Sequence, residues 1–533
     1  MLLLGDILRR HARTRGDKTA YAIGDARISY RAFHARSNQL ARGLRHLGVG
    51  RGDRVAVMAN NRVEYPLIYF AVVKLGAIVV PINARFAAAE VAYVVTHADA
   101  ETFIVADECA PLVDELRGAG RLPSVHRFIA IDSSGRSSDP TLDAVASVES
   151  RDDIDADIDE CDTHAMLYTS GTTGSPKGTM LSQRCYCLQA ATSHLQLGLN
   201  EDDIVLSMFP MFHMGGWALP LGCWHTGSTA IIMPKAAPRA ILEAIERERV
   251  TYFYAVPTVF KSMLALPDFD RFDLRSLRLL GSGTAAMTAA EVEQIRERFR
   301  CSQMVILYGS TEAGPVSVVR PHDVARKPET VGRPYLNVEV RLVDETGRDV
   351  SVGAVGEIAV RSEFLMQGYW RNPEETARTI RDGWVFTGDL GAFDDEGFLS
   401  IVGRSKEVIR SGGESIFPVE IERVLLTHPA VREVSVVGIP DSHWGEAVAA
   451  AIVLRNGAAL TADEAIEHVR AHLAGYKKPR HVCFVDSLPR TAASQQVHKP
   501  LLRERLLELL NPSQGSSDSA GLALRRRAQR SPT

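Results

Sequence analysis

The stretch TSGTTGSPKG, from Thr169 to Gly178, follows an apolar run that predicts a β-strand. Glycines free backbone N–H groups to face phosphate oxygens, and the stretch adds hydroxyl side chains and Lys177. It is not a Walker A loop, because Pro176 stands where the second glycine belongs and Gly178 replaces the hydroxyl residue after the lysine. The stretch therefore predicts a different kind of phosphate-binding loop, and composition alone leaves a polar surface turn as the alternative.

The residues around this loop alternate short apolar runs with helical patterns. RVAVMA (residues 54–59) and AIVVPI (residues 77–82) predict buried strands, and the residues between them predict a helix that ends at Gly76. The alternation recurs up to about Val331 and predicts helices packed on largely parallel sheets. Short alternating strands follow, and a compact α+β pattern begins after Gly403. In it, Thr461 and Glu464 predict a capping box before a helix, HVCFVD (residues 481–486) predicts a strand, and PLLRERLLELL (500–510) predicts a final helix.

The length, net charge and cysteine content of the chain limit the classes of protein to which it can belong. The chain has 533 residues, a formal charge of -4 and seven cysteines, which indicates a multidomain protein of a reducing compartment with no bulk attraction to nucleic acid. Residues 204–234 carry no charge, but prolines, glycines and two histidines interrupt them, so a buried segment is predicted rather than a membrane span. We expect a cytoplasmic protein without a transmembrane segment; weak contact of its arginine-containing C-terminal tail with a membrane surface is left open.

Three further motifs follow the glycine-rich stretch in order: YGSTEAG (residues 308–314), FTGDLG (386–391) and GRSKEVIRSGGESIFPVEIE (403–422). Together the four resemble the successive motifs of the adenylate-forming superfamily, in its acyl-CoA synthetase branch. The resemblance implies an α/β fold: a large N-terminal domain of stacked mixed sheets with a small β-barrel-like subdomain, then a small mobile α+β domain. The implied boundaries are 1–404 for the adenylation domain, 405–510 for the mobile domain and 511–533 for a disordered tail.

The resemblance also implies a reaction. A carboxylate attacks the α-phosphate of ATP to give an acyl adenylate and pyrophosphate, and the thiol of coenzyme A then displaces AMP. Thr311 would hydrogen-bond the α-phosphate, and Glu312 would bind Mg²⁺ between the phosphates. The implied phosphate loop consists of Thr169, Ser170, Gly171, Thr172, Thr173, Gly174 and Lys177.

The nucleoside would be held at three places. Asp389 is expected to accept hydrogen bonds from both ribose hydroxyls, since a carboxylate only accepts. Arg404 is expected to reach the ribose or a phosphate. The residues expected around adenine are Gly283, Thr284, Ala285, Tyr308 and Gly309. A dinucleotide-binding motif at residues 279–286 is the alternative, but the acidic residue that it requires is not at the right interval.

The other implied sites concern the thiol and the acid. Lys406 takes the hinge position, and Ser411, Gly412, Gly413 and Glu414 would line the path of coenzyme A. His213 stands where amino-acid-activating relatives carry an aspartate, which favours an acid without an amine. A medium- or long-chain fatty acid is the first expectation and a ring-bearing acid the second. The expected pocket walls are His213, Gly215, Gly216, Trp217 and Tyr254.

One position departs from the family. The family pattern is P-R-T-A-x-G-K-h-x-K, in which h is apolar and the first lysine is the adenylation lysine. Aligned at PRTA (residues 489–492) and at VHKP (497–500), this chain has one extra residue, which places Gln496 at the adenylation lysine and Lys499 at the second lysine. Two alternatives to a normal coenzyme A ligase therefore stay open. They are an acyl-AMP ligase that loads a carrier protein and a catalytically impaired homologue. A homodimer is also left open.

Overall fold

The structure is a computed structural model, and it describes residues 3–132, 139–147, 150–169, 176–283, 287–490 and 496–510. The chain divides into two compact units. The first comprises residues 1–341, 359–387 and 393–400, and the second comprises residues 342–358, 388–392 and 401–533. Among the described residues, no helix has the length and apolar character needed to cross a bilayer.

The strands are given in chain order. They are β1 (Thr19–Ile23), β2 (Ala26–Ser29), β3 (Arg54–Met58), β4 (Ile78–Ile82), β5 (Thr102–Val105), β6 (Arg127–Ala130), β7 (Thr163–Thr169), β8 (Lys177–Ser182), β9 (Ile204–Ser207), β10 (Thr229–Ile232), β11 (Tyr252–Tyr254), β12 (Leu279–Gly283), β13 (Met304–Ser310), β14 (Gly314–Val319), β15 (Arg333–Pro334), β16 (Val338–Val343), β17 (Gly356–Ser362), β18 (Gly368–Tyr369), β19 (Ile380–Arg381), β20 (Trp384–Phe393), β21 (Leu399–Arg404), β22 (Ile409–Ser411), β23 (Glu414–Ile416), β24 (Val431–Asp441), β25 (Gly445–Leu454) and β26 (His481–Phe484).

The α-helices follow the same order. They are α1 (Leu4–Thr14), α2 (Tyr30–His46), α3 (Glu64–Val73), α4 (Ala88–His97), α5 (Ala110–Gly118), α6 (Leu142–Val145), α7 (Gln183–Leu197), α8 (Met214–Thr226), α9 (Pro238–Glu248), α10 (Pro257–Leu264), α11 (Ala289–Arg298), α12 (Pro373–Thr379), α13 (Pro418–Leu426), α14 (Ala462–Arg470) and α15 (Lys499–Leu510). Short 3₁₀ helices cover Phe269–Arg271, Ser405–Glu407 and Gly475–Lys477.

Two large sheets organise the first unit. One has nine strands in the order β15-β14-β13-β12-β11-β9-β10-β1-β2, and the run from β13 to β1 is parallel. The other has seven strands in the order β18-β8-β7-β4-β3-β5-β6, and the run from β7 to β6 is parallel. The predicted α/β architecture is confirmed, and antiparallel strands add to the edges of both sheets.

The parallel strands place the predicted site residues at common edges. In the nine-stranded sheet, β11 ends at Tyr254, β12 at Gly283 and β13 at Ser310. Ligands of such sheets bind outside the carboxyl ends of the strands, where loops rather than ladder hydrogen bonds take over. Tyr254 of the predicted acyl pocket therefore lies at the same edge of one sheet as Gly283, Tyr308 and Gly309 of the predicted adenine site.

Two smaller sheets complete the fold. One has the order β16-β17-β20-β19, with β21 paired to β20. The other belongs to the second unit and has the order β23-β22-β25-β24, with β26 paired to β25. The capping box predicted at Thr461 and Glu464 is present at the start of α14. The predicted strand at His481–Phe484 and the final helix are also confirmed.

A cluster of buried apolar side chains packs against each of the two large sheets. Phe253, Phe260 and Phe299 are fully buried in the cluster under the nine-stranded sheet, while Phe103 and Val80 belong to that of the seven-stranded sheet. Burying an apolar side chain of this size stabilises a fold by about 1.5–3 kcal/mol. The charge-free residues 204–234 form β9, α8 and β10, so their lack of charge is explained by burial within the first unit.

Candidate active site

The predicted phosphate loop joins the antiparallel strands β7 and β8. Thr169 ends β7, Lys177 begins β8, and the two residues are paired across the hairpin. The hairpin thus fixes both ends of the predicted loop. The residues predicted between them lie outside the described part of the chain, and their roles stay predictions: Ser170, Gly171, Thr172, Thr173 and Gly174.

Lys177 is a largely buried cation with two partners. Its side chain is 11% exposed, and its ammonium group forms an ion pair with Glu375. Its Nζ also lies 5.1 Å from the centroid of the Tyr369 ring, within reach of a cation–π interaction. The strand pairing explains this approach, because Tyr369 lies opposite Thr179 in the pairing of β18 with β8.

Glu312 lies in the turn between β13 and β14, and two hydroxyl groups donate to its carboxylate. The Thr169 hydroxyl is 3.4 Å and the Tyr369 hydroxyl 3.2 Å from Glu312 Oε1. Burial and the neighbouring Glu312 charge raise the pKa of Tyr369, so its hydroxyl keeps its proton and remains a donor at neutral pH. The first unit therefore brings Thr169, Lys177 and Glu312 together around one tyrosine.

This arrangement fits a magnesium ion that takes most of its ligands from phosphates and water. Mg²⁺ in such sites needs only one or two protein carboxylates, and Glu312 supplies one hard oxygen donor beside the Thr169 hydroxyl. The described residues contain one cluster of acidic side chains close enough together to hold a metal, Asp394–Glu396. It does not include Glu312, and its Asp394 and Glu396 pair with Lys327.

The turn that carries Glu312 also carries Thr311. Ser310 Oγ accepts a hydrogen bond from the Ala313 backbone N–H at 3.1 Å, and this bond shapes the turn. Thr311 is half-buried there, next to Glu312. Its predicted contact with the α-phosphate is compatible with this position and stays a prediction.

Two glycines of the predicted adenine site are required by close backbone contacts. A Cβ at Gly283 would lie 2.3 Å from the Leu307 carbonyl oxygen and 2.4 Å from the Tyr254 hydroxyl. A Cβ at Gly309 would lie 2.3 Å from the Gly314 carbonyl oxygen, where the pairing of β13 with β14 shifts register beside Tyr308. The predicted acyl residue Tyr254 and adenine residue Gly283 are thus in contact. Thr284 and Ala285 lie outside the described residues.

The predicted acyl-pocket residues lie at the start of α8. His213 is the N-cap of this helix, and its Nδ1 accepts a hydrogen bond from the Gly215 N–H at 3.2 Å. Burial lowers the pKa of His213, so the ring is neutral at pH 7 and its proton is on Nε2. Trp217 is fully buried, and its ring stacks on Tyr69 with the centroids 3.7 Å apart.

Gly215 and Gly216, at the start of α8, do not face open space. A Cβ at Gly216 would lie 2.0 Å from the Pro210 carbonyl oxygen, and one at Gly215 would lie 3.2 Å from the Phe209 ring. Phe209 in turn lies 5.7 Å from Tyr254, measured between ring centroids. The space beside Gly215 is therefore bounded by aromatic rings, and the acyl-pocket roles of these residues stay predictions.

In the second unit, Asp389 and Arg404 are adjacent. Asp389 lies on β20 and Arg404 ends β21, the strand that pairs with β20. Arg404 Nε is 3.0 Å from Asp389 Oδ1, and the Asp389 side chain is only 11% exposed. Two residues predicted to bind the nucleoside, 15 positions apart in the sequence, are thus brought together by one strand pair.

The predicted coenzyme A segment is a tight hairpin. Ser411 of β22 pairs with Glu414 of β23, and the two residues between them, Gly412 and Gly413, have φ angles of 60° and 87°. Positive φ at both central residues is the reason for two glycines in such a turn. The predicted hinge residue Lys406 is exposed and lies in the 3₁₀ helix Ser405–Glu407 that precedes this hairpin.

Trp444, which belongs to none of the predicted motifs, lies beside this hairpin. Gly412 N–H donates to the Trp444 carbonyl oxygen at 2.9 Å, and a Cβ at Gly412 would lie 2.5 Å from the Trp444 ring. The ring is partly exposed, and the Arg480 guanidinium lies 4.6 Å from its centroid. An aromatic face beside a cation fits a ligand with a base and phosphates.

Gln496 and Lys499 have very different surroundings in the second unit. Gln496 is exposed. Lys499 begins α15, and its ammonium group lies 2.8 Å from Glu407 and 3.1 Å from Glu422. Burial acts to lower the pKa of Lys499, but the two carboxylates outweigh burial and raise it, so Lys499 is held as a cation.

Two further residues of the site, Tyr369 and Glu375, lie outside the motifs that predict it. Asn372 followed by proline indicates the start of a helix, and the Asn372 side chain does accept from the Glu375 N–H at 3.1 Å. The contact between Glu375 and Lys177 spans 198 positions, and no local pattern indicates it.

The chain matches two families of known proteins. Residues 8–370 match the AMP-binding enzyme family, and residues 420–494 match the AMP-binding enzyme C-terminal domain. A feruloyl-CoA synthase of Amycolatopsis sp is 36% identical over 94% of this chain and 99% of the relative. The long-chain-fatty-acid–CoA ligase FadD13 of Mycobacterium tuberculosis is 33% identical over 94% of this chain and 98% of the relative.

A solved structure shows the same fold. The anthranilate CoA ligase AuaEII, in complex with anthranoyl-AMP, superimposes with a TM-score of 0.86 at 31% identity. The superposition covers 94% of this chain and 97% of the other. With family matches over most of its length, the chain belongs to the AMP-binding enzyme family, in the acyl-CoA synthetase branch of the adenylate-forming enzymes.

Proposed function

We propose that the chain joins a carboxylic acid to coenzyme A in two steps, through an acyl adenylate, with release of pyrophosphate and AMP. The observation that carries the proposal is the cluster of Thr169, Lys177 and Glu312 around Tyr369. It combines a largely buried cation at one end of a glycine-rich loop with a carboxylate suited to a metal, which contacts Thr169 at the other end of that loop. Such pre-placed charges stabilise the negative charge that gathers at a reacting phosphate.

Five of the predicted site residues have a proposed role in the first step. Lys177 offsets the charge of the phosphates, and the Thr311 hydroxyl donates a hydrogen bond to an α-phosphate oxygen. Glu312 would hold Mg²⁺, which would supply charge neutralisation for the phosphates. Asp389 accepts from the ribose hydroxyls, and Arg404, already paired with Asp389, holds that carboxylate in place.

For the second step we propose coenzyme A as the thiol. The turn Ser411–Glu414 and the neighbouring Trp444 and Arg480 support this proposal, because an aromatic ring and a cation suit the nucleotide part of coenzyme A. We further propose that residues 1–404 form the adenylation domain and that residues 405–510 form a mobile domain.

The acid has an apolar body without an amine. His213 is neutral and half-buried, so it offers no charge to bind an ammonium group. A medium- or long-chain fatty acid remains one candidate. The rings of Phe209 and Tyr254 favour a ring-bearing acid as a second candidate, since aromatic pairs contribute about 0.5–1.5 kcal/mol beyond area burial.

A panel of acids tests this function. We expect acid-dependent pyrophosphate release with ATP and Mg²⁺, and acid-dependent thioester when coenzyme A is added. Fatty acids of increasing length are compared with aryl and arylacetic acids at equal concentration. Thioester formation only on a carrier protein, with none on free coenzyme A, would contradict the proposed acceptor.

Lys406→Pro tests the proposed hinge. Proline disfavours a helical conformation of the residue before it, and Ser405 begins the 3₁₀ helix that contains Lys406. It also fixes its own φ, so rotation at this position is restricted. We expect thioester formation to fall at least about tenfold more than adenylation, with Lys406→Ala as the control. Equal losses in both half-reactions would place the hinge elsewhere.

Gln496 supports a second candidate function. A neutral glutamine stands at the position where the family has its adenylation lysine, and Lys499 is already paired with Glu407 and Glu422. The chain would then make acyl adenylate slowly but convert supplied acyl adenylate to thioester at a nearly normal rate. The two half-reactions, measured separately, distinguish this candidate from an ordinary ligase.

A further inference from the structure

The cation of the phosphate hairpin is already paired with an acid. Lys177 and Glu375 form an ion pair in which the two side chains are 11% and 16% exposed. A triphosphate that binds Lys177 meets this carboxylate at the same ammonium group. Glu375 therefore either helps to hold Lys177 for ATP or competes with ATP for it.

The two partners of Lys177 differ in how firmly they are held. Tyr369 is part of β18, its backbone N–H donates to Thr376 Oγ1 at 2.9 Å, and its hydroxyl donates to Glu312. Tyr369 is thus fixed at several points. Its ring stays available to the ammonium group whether or not another anion is present.

Glu375 has a second cation within reach. It lies on the short helix α12, and its Oε2 is 3.5 Å from the guanidinium of Arg378, whose side chain is 72% exposed. After a small movement of its side chain, the Glu375 carboxylate could pair with Arg378 instead of Lys177, so that it keeps a cationic partner. Because unpaired buried charges are strongly destabilising, this alternative lowers the cost of releasing Lys177.

We propose that Glu375 is a displaceable counter-ion of Lys177: the phosphates of ATP take its place, and Glu375 turns to Arg378. The inference rests on the proposed assignment of Lys177 to the ATP site. In the absence of nucleotide, Glu375 keeps the partly buried ammonium group paired. When ATP is bound, the nearby carboxylate repels the phosphates, which weakens ATP binding and favours release of pyrophosphate.

Calorimetric titration with Mg²⁺–ATP and with Mg²⁺–pyrophosphate tests the proposal. Glu375→Gln is expected to lower the Kd of both by about tenfold, since a partly buried like charge is removed from the phosphates. Glu374→Gln is the matched control: it removes the same charge from the adjacent position of α12, where the side chain is 86% exposed. That control should leave both Kd values within about twofold.

A double-mutant cycle shows whether Glu375 acts through Lys177. The cycle compares the change in log Kd for ATP that Glu375→Gln causes in two backgrounds. In the Lys177→Met background, this change is expected to be less than about half of the change in the unchanged chain. Arg378→Gln should weaken ATP binding two- to threefold, because it removes the cation to which Glu375 turns when ATP is bound. Thermal unfolding of every variant checks that the fold is intact.

The outcomes separate this inference from the proposed function. If the unchanged chain binds ATP but Glu375→Gln binds it equally well or more weakly, Glu375 is not a competitor and the inference is wrong while the ATP site stands. If Glu374→Gln lowers the Kd values as much as Glu375→Gln does, the effect comes from the net charge of the region, and the inference is wrong. Absence of ATP binding by the unchanged chain would overturn both the proposed function and the inference.

Discussion

Gln496→Lys is expected to accelerate acyl-adenylate formation by about 10²- to 10³-fold, the usual effect of one pre-placed electrostatic contact with a reacting oxyanion. Glutamine can donate a hydrogen bond, but it carries no charge to offset the negative charge that gathers at phosphorus. Gln496 is exposed, so a lysine at this position is compatible with the fold. Pyrophosphate release under single-turnover conditions measures the first half-reaction, and conversion of supplied acyl adenylate to thioester should change little.

Lys499 is the residue that could make this prediction fail. It lies three positions after Gln496 and is the nearest described lysine along the chain. Its ammonium group is bound by Glu407 and Glu422, and Glu422 also accepts from the Val436 N–H at 2.8 Å. Lys499 therefore joins the start of α15 to α13 and β24 rather than offering a free cation.

The control for this prediction follows from those contacts. Lys499→Ala should lower the thermal stability of the protein, because it leaves two carboxylates without their shared cation. It should impair both half-reactions to a similar degree, as a structural change does. If the unchanged chain adenylates its acid at ordinary rates and Lys499→Ala abolishes only that step, then Lys499 acts as the adenylation lysine and our alignment of residues 490–499 is wrong.

Much of the fold follows from local patterns. The helix between the runs 54–59 and 77–82 is observed as Glu64–Val73, and the strand runs around it pair in parallel as predicted. These predictions succeed because burial on both faces leaves a continuous apolar run, which a sequence displays directly. The capping box at Thr461 succeeds for a similar reason, since its two partners are three residues apart.

The candidate site was only partly predictable. Motif order selected Lys177 and Glu312, but it did not reveal Tyr369, which contacts both. That contact depends on the pairing of the two-residue strand β18 with β8, and so short a strand carries no periodic signal. The Gly215 prediction is a second example: a glycine indicates that space is needed, but the sequence does not show that the Phe209 ring occupies it.

Asp389→Ala is expected to raise the Kd for ATP by about 100-fold or more. We propose that Asp389 accepts hydrogen bonds from both ribose hydroxyls, and a hydrogen bond to a charged group contributes about 1.5–3 kcal/mol. The fold should survive, because the partner Arg404 has a side chain that is 53% exposed and can be solvated by water once the carboxylate is gone. Calorimetric titration with ATP measures the loss, and thermal unfolding checks the fold.

Two further variants make the result specific to the ribose. Asp389→Asn keeps one acceptor oxygen without the charge and should bind ATP with an affinity between those of the unchanged chain and Asp389→Ala. Asp395→Ala removes the same charge from an exposed turn six positions later and should leave the Kd within about twofold. The 2′-deoxy form of ATP gives the decisive comparison: it should bind less tightly than ATP to the unchanged chain and equally to Asp389→Ala. If Asp389→Ala still distinguishes the two nucleotides as well as the unchanged chain does, the ribose hydroxyls are bound elsewhere and Asp389 serves only to hold Arg404.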